Sequence, residues 1–384
     1  MNLATLRPLL CFLLTAPVLT AEPFVPKDPN QPLEQLRATA FDPLPHDLRR
    51  LRAQLSSDPA NAAVAAQLAR RCIEAYRSAS DPRYLGRAQS ALAPWWTAPS
   101  APAPILVLRA SIKQSQHDFT NALSDLDAAL RLDPRNPQAW LTRATILTVL
   151  GDDNEARRSC LRLAQLAPGL IALTAAANVA CLNGEADRGC LLLRGALAGN
   201  PSAPAAEKLW ALTTLAETCE RLGRPADAQS YYEQALALGQ RDPYLLGAYA
   251  DFLIDSRRPE QAASLLKNET RADGLLLRLA IAESMLRPVP DEYALHVAAL
   301  RARFEAGHLR GDFVHQREEA RFDLCLLHDA SGALKLARAN WQIQHEPADA
   351  RILLEAATAA GQPAAAQPVR DFIHATHLQD IALQ

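Results

Sequence analysis

Apolar positions along this chain recur every three to four residues, and the recurrence itself repeats. From Leu123 to Leu132 the apolar residues share one face of a helix, without the alternation of a strand. The arrangement returns 34 residues on: Ala122, Leu126, Ala129 and Pro134 are matched by Ala156, Cys160, Leu163 and Pro168. Asp133-Pro134, Ala167-Pro168, Asn200-Pro201 and Asp242-Pro243 punctuate the pattern. Proline cannot continue a helix, so each pair marks a stop followed by a new start. The pattern predicts antiparallel helix pairs through most of residues 59–377 and no sheet. One such pair cannot bury its own apolar face, so neighbours must stack.

The unit from Pro137 to Pro168 is the most complete, with Trp140, Arg143-Ala144, Leu147, Gly151, Ala156, Cys160 and Leu163. The preceding unit, Ala103 to Pro134, carries Leu106, Arg109-Ala110, Ala122, Leu126 and Ala129 in the same slots. The small residues Ala110, Ala122, Ala144 and Ala156 mark close helix crossings, where a larger side chain costs about 1–3 kcal/mol in overpacking. On these residues and this period the chain resembles the tetratricopeptide repeat family, in the variant with Arg before the small residue. Looser units follow. One runs from Ile171 to Pro201, with Gly189 and Ala196. The next has Leu212, Ala216, Gly223, Ala228 and Tyr232, and another has Leu246, Ala250 and Ala262.

The resemblance implies an all-α, right-handed α-α superhelix, a tetratricopeptide-like solenoid that binds another chain on its concave side. Its expected divisions are a signal peptide at 1–21 and a Pro-rich lead-in with a capping helix at 22–58. Repeats follow over 59–270, best over 103–168, and degenerate helical hairpins with a C-terminal cap over 271–384. In this family the exposed positions of each first helix line the groove. Here they fall on Val107, Ser111, Gln114 and Ser115, then Leu141, Thr145 and Thr148, then Ala175, Val179 and Asn183. Thr213, Glu217 and Glu220 come next, and Gly247, Asp251 and Asp255 last. The proposed contact set is Leu141, Thr145, Thr148, Val179, Asn183, Glu217, Glu220, Asp251 and Asp255. Its later part is acidic, which suits a neutral or basic partner segment. Some family members clamp a partner's terminal carboxylate with Lys, Arg and Asn at these positions, and that cationic set is missing here.

The first residues carry a different pattern. Arg7 precedes an apolar run from Leu9 to Leu14, and small and polar residues lead to Ala21. This is the layout of a secretory signal peptide, with a mature chain beginning near Glu22. Leu19 at minus three departs from the small-x-small rule. The run is shorter than the roughly 20 residues needed to span a bilayer. An exported protein of a Gram-negative envelope or periplasm is the expectation.

Composition narrows the chemistry. The 384 residues carry 40 basic and 42 acidic side chains, a formal net charge of −2. A nucleic-acid binder needs a basic surplus or stripe, so protein or peptide partners are expected and nucleic acid is not. Cys72, Cys160, Cys181, Cys190, Cys219 and Cys325 follow the leader. Several sit on apolar repeat slots and read as small core residues. A single Cys160–Cys181 bridge is the alternative. His374 and His377 are three apart but lack a third ligand, and no zincin, phosphate-loop or nucleophile-elbow motif occurs. No catalytic residue, metal or cofactor is assigned. The expected function is a non-catalytic interaction scaffold or assembly factor. The competing reading is an enzyme or a ligand- or glycan-binding module in the irregular C-terminal third. Ionisable groups buried around His296–His345 would favour the enzyme, and an open, continuous groove the scaffold; a glycan-binding accessory protein would need Trp95 and Trp96 exposed for sugar stacking, whereas at least one is expected to pack against a neighbouring repeat.

Overall fold

The computed structural model describes residues 43–98, 100–311 and 314–383. The signal-peptide segment and most of the lead-in lie outside the described residues. Nineteen α-helices and no strand occur among the described residues. Three helices open the chain: α1 (Pro43–Ser57), α2 (Ala62–Ala79) and α3 (Arg83–Ala91). Five hairpins follow, each a first and a second helix: α4 (Ala103–Ser115) with α5 (Phe119–Leu132), α6 (Pro137–Val149) with α7 (Asp153–Leu166), α8 (Leu170–Leu182) with α9 (Ala186–Gly199), α10 (Ala205–Arg221) with α11 (Pro225–Leu236), and α12 (Pro243–Asp255) with α13 (Pro259–Leu266). The C-terminal third holds α14 (Asp273–Met285), α15 (Tyr293–Leu309), α16 (Gln316–Phe322), α17 (Ala330–Trp341), α18 (Pro347–Ala359) and α19 (Gln367–Thr376). The fold is the all-α helical solenoid expected.

The hairpin turns share one solution. The residue after the first helix adopts the left-handed conformation: His117, Gly151, Gly184, Gly223 and Arg257. The next N–H then reaches back five residues, as in Asp118 to the Lys113 carbonyl, Asp152 to Leu147, Glu185 to Ala180, Arg224 to Cys219 and Arg258 to Leu253. This Schellman arrangement closes one helix while the following residue opens the next. Asp118 and Asp152 also cap their new helices, accepting from the N–H groups of Asn121 and Glu155.

The predicted small residues pack where the helices cross. Ala110, Ala122 and Ala156 are 0% exposed and Ala144 is 2% exposed. Ala216, Ala228, Ala250 and Ala262 repeat the device in the later hairpins and are all fully buried. In the third hairpin glycine takes the slot, because a Cβ on Gly189 would overlap Cys181 Sγ and sit 3.0 Å from the Ala177 carbonyl oxygen. The repeated Arg has a role as well. Arg109 reaches across its hairpin to Asp125, and Arg143 makes the equivalent reach to Ser159 Oγ at 2.8 Å. Arg109 also donates to the carbonyls of Trp95 and Ala98. The Pro-rich connector is thereby fastened to the first hairpin, with both Trp95 and Trp96 half-buried against the core.

The irregular register between residues 201 and 243 has a simple cause. α10 has 17 residues where α6, α8 and α12 have 13. Beyond α15 the chain forms α16, a π-helical turn at Asp323–Leu327, and then α17–α19, which close a separate small core around Ala337, Trp341, Leu353 and Val369. No helix among the described residues is long and apolar enough to cross a membrane.

Candidate protein-interaction face

Leu141, Thr145 and Thr148 lie half-buried on α6. Thr145 Oγ1 donates to the Leu141 carbonyl at 3.1 Å and Thr148 Oγ1 to Ala144 at 2.8 Å. Both hydroxyl protons are thus spent on their own helix, and only acceptor lone pairs remain for a ligand. Asn183 ends α8, donating to the Val179 carbonyl at 2.7 Å. Val179 itself is 1% exposed, inside the cluster of Leu147, Cys160 and Ala175. It supports the face and does not line it. Val107, Ser111, Ala175, Thr213 and Gly247 are buried in the same way. Adjacent first helices stand against one another, so the row expected to be open is in part their packing seam.

The four acids fall into two pairs. Asp251 accepts from Arg278 Nε at 2.8 Å and lies 2.7 Å from Arg321 Nη1. Burial opposes ionisation there, but the two guanidiniums hold the carboxyl below the usual range. Asp255 accepts two hydrogen bonds from Arg351. Glu217 and Glu220 instead have tyrosine partners, Tyr244 at 2.8 Å and Tyr232 at 3.1 Å. Burial raises both acids, and Glu220, with Asp255 adding to the effect, is pushed up to about 8. Tyr244 is 61% exposed, yet its phenol is held above its usual range, by Glu217 first and by the enclosing protein second. The ring is thus open to water while its hydroxyl stands against Glu217.

Three arginines that answer these acids, Arg278, Arg321 and Arg351, come from the C-terminal third. No periodic signal pointed to them. More charge gathers beside them. Arg317 lies 2.8 Å from Glu346, 3.2 Å from Glu318 and 3.3 Å from Asp349. Asp349 is fully buried and also accepts from Asn340, Gln344 and the Glu346 N–H, completing the cap of α18. Glu318 drops to about 2: burial opposes this, but Arg317, His315 and Arg278 prevail. Ionisable groups therefore do gather near residues 315–351, and most answer one another as ion pairs and helix caps.

The C-terminal third also lies along the hairpin turns. The His345 N–H donates to the Val149 carbonyl at 2.8 Å, and its Nδ1 donates to Leu150 at 2.9 Å. Phe372 abuts Gly151, His377 abuts Gly184 and Ile381 abuts Gly223. The Ala186 N–H, at the start of α9, donates to Gln379 Oε1 at 3.2 Å.

The remaining expectations resolve as follows. The six cysteines among the described residues are free thiols, and five are buried. Cys181 Sγ donates to the Ala186 carbonyl, and Cys181 and Cys190 stand close enough to shift one another's thiols, so the neighbour of Cys181 is not Cys160. The His374 and His377 rings lie 6.4 Å apart, and His377 is turned against Gly184. On the outer face a cleft of about 690 Å³ runs between α5, α6 and α7, with Leu161 and Trp140 among arginines and acids.

Residues 107–171 and 209–252 match family models of the tetratricopeptide repeat. No curated protein sequence matches the chain. Among solved structures, the chain is similar to PilW, a widely conserved type IV pilus biogenesis factor, at 20% identity and TM-score 0.42, over 53% of this chain and 94% of that one. It is similar to a tetratricopeptide repeat protein from Parabacteroides merdae at 16% identity and TM-score 0.39, over 76% and 99%. A third is the APC/C hetero-tetramer Cut9-Hcn1, at 15% identity and TM-score 0.47, over 85% and 59%.

Proposed function

We propose that this chain, a member of the tetratricopeptide repeat superfamily, is a non-catalytic scaffold or assembly factor of the cell envelope that binds another protein through the inner face of its superhelix. The repeats support protein binding, because stacked hairpins make an extended concave surface instead of a closed pocket. The observation that carries the reading is the pair Glu217 and Glu220 on α10, which have tyrosine partners and no cation at ion-pair distance among the described residues. A basic segment would supply the missing counter-charge and draw both carboxyls, which burial holds toward the protonated form, back to the ionised state. Leu141, Thr145, Thr148 and Asn183 extend this contact row, while Asp251 and Asp255 need their arginines displaced to join it. The envelope assignment rests on Arg7, the Leu9–Leu14 run and Ala21. It requires a mature chain starting near Glu22, which N-terminal sequencing of the exported protein checks.

The test is affinity capture from the source cell's envelope, followed by Glu217→Gln with Glu220→Gln in the same bait. The partner should bind the double variant more weakly and with less dependence on salt. Unchanged affinity and salt dependence would remove the inner acids from the site. The charged gathering at residues 315–351 favours a second reading, a ligand- or glycan-binding module in the C-terminal third. On that reading cell-wall glycan fragments raise the melting temperature of the wild type but not of Arg317→Met.

A further inference from the structure

The last stretch of chain, residues 361–383, behaves as a strap over the hairpin turns. It begins at Gly361, whose φ of +65° makes a sharp corner after α18. A 3-10 turn at Pro363–Ala366 and α19 follow, with Val369 as the fully buried anchor of that helix. The chain then runs past three successive hairpins in order. Phe372 sits over Gly151 in a box shared with Trp341 and His345, whose ring centres are each 5.4 Å away. His377 covers Gly184, its Cβ 2.9 Å from where a Gly184 side chain would start. Ile381 covers Gly223 at 3.4 Å. Between them Gln379 accepts from the Ala186 N–H, and the buried Asp380 lies within the electrostatic reach of Arg221, whose buried Nε lacks a hydrogen-bond partner.

This row has the features of a peptide site. The turns are glycines, so they offer shallow seats at regular spacing. The first-turn N–H groups of a helix have no partner within the helix and accept one from outside. Arg221 offers a positive charge beside them. Past α19 the strap is held unevenly: Leu378 and Asp380 are buried, whereas Ile381 remains 56% exposed and Gln379 reaches the hairpin through a single hydrogen bond. A single hydrogen bond of this kind adds only modestly to stability.

We propose that residues 361–383 are an intrachain occupant of a peptide-binding row along Gly151, Gly184 and Gly223, and that the partner's segment replaces them there. That segment has a defined chemistry. It presents an aromatic side chain to Gly151, a side-chain carbonyl to the Ala186 N–H, a carboxylate to Arg221 and an aliphatic side chain to Gly223. The proposal rests on the scaffold reading, since the row borders the inner face at the ends of α6, α8 and α10.

The probe is a fluorescent synthetic peptide of residues 361–384, added to the full-length chain. One variant, Gln379→Ala with Ile381→Asp, loosens the strap. A second, Gly223→Cys with Ile381→Cys, staples it shut under oxidising conditions and releases it with reductant. The loosened variant should show faster hydrogen exchange over 372–383 and bind the peptide at least about tenfold more tightly than wild type, because apparent affinity scales with the open fraction. The stapled chain should bind it only after reduction, and a peptide with Phe372→Ala and Ile381→Asp should not bind. Faster exchange without tighter binding overturns the proposal, as does exchange that stays unchanged. Partner capture separates the two readings. A partner that crosslinks to the inner face equally with loosened and stapled baits keeps the scaffold and discards the strap. A bait that captures nothing on that face discards the scaffold, whatever the peptide does.

Discussion

Ala156 has no room to grow, because it and Ala144 are sealed from water in one core cluster of α6 and α7. Ala156→Leu should therefore destabilise the chain by about 1–3 kcal/mol in overpacking, read as an earlier urea or thermal midpoint. An unchanged midpoint would place the crossing elsewhere. Small residues at such crossings are legible in sequence because sterics leave few choices. The state of a buried acid is not, because it depends on neighbours distant in the chain. Glu220 shows this. Burial first, then Asp255, with smaller effects from Glu217 and Asp251, push its carboxyl from 4.5 up to about 8, while Tyr232 pulls the other way. The folded chain then holds that proton more tightly than the unfolded one. Its contribution to stability is full below about pH 4.5 and is lost as pH rises through 8. Glu220→Gln mimics the protonated acid permanently. Its melting temperature should match wild type near pH 4.5 and exceed it increasingly from pH 5 to 8. A difference that is flat with pH would mean that Glu220 is ionised throughout.

At the scale of the hairpin, the turn carries more than connectivity. Gly151, Gly184 and Gly223 occupy the left-handed region, and each also receives a side chain from the C-terminal strap. His117 and Arg257 adopt the same conformation without glycine at the first and last turns. Backbone geometry alone therefore tolerates other residues, and the three central glycines answer to close approach as well. Gly184→Ala should cost about 1–2 kcal/mol from the left-handed strain alone. Its new Cβ would also press on His377 at 2.9 Å, so protection from hydrogen exchange should fall at 377–383. An equal change at Gly239, which is left-handed but has nothing near it, should lower stability without touching that segment. The helices and turns of the five hairpins were readable because local periodicity and turn chemistry act within one repeat. α10, at 17 residues, keeps the same apolar period through its additional turn.

At the scale of the molecule, an ideal solenoid has contacts only between neighbours, so its stability is a near sum of repeats. That is all a periodic sequence announces, and it is why the inner acids could be placed while their arginine partners could not. Arg321 and Arg351 reach Asp251 and Asp255 through the path of the irregular third, which no repeat encodes. Val179 was misplaced for a related reason: helix periodicity gives a face, but the stacking of neighbouring first helices decides how much of it is covered. The closure has a thermodynamic consequence. Links from His345 to Leu150, from Gln379 to Ala186 and from Arg351 to Asp255 join segments between about one and two hundred residues apart in sequence. They couple the C-terminal core around Trp341 to the central hairpins, so the wild type should unfold in one transition. Loss of helix by circular dichroism and the change in tryptophan emission should then coincide in urea. Arg351→Met added to the loosened strap variant, Gln379→Ala with Ile381→Asp, removes two of these three links while every repeat interface is intact. In a chain that keeps only Trp341 of its five tryptophans, emission should shift first and helix loss should broaden into two steps. Coincident curves in that variant would mean that the strap and the Arg351–Asp255 pair add nothing to cooperativity, the coupling running through the His345 link and α14–α16.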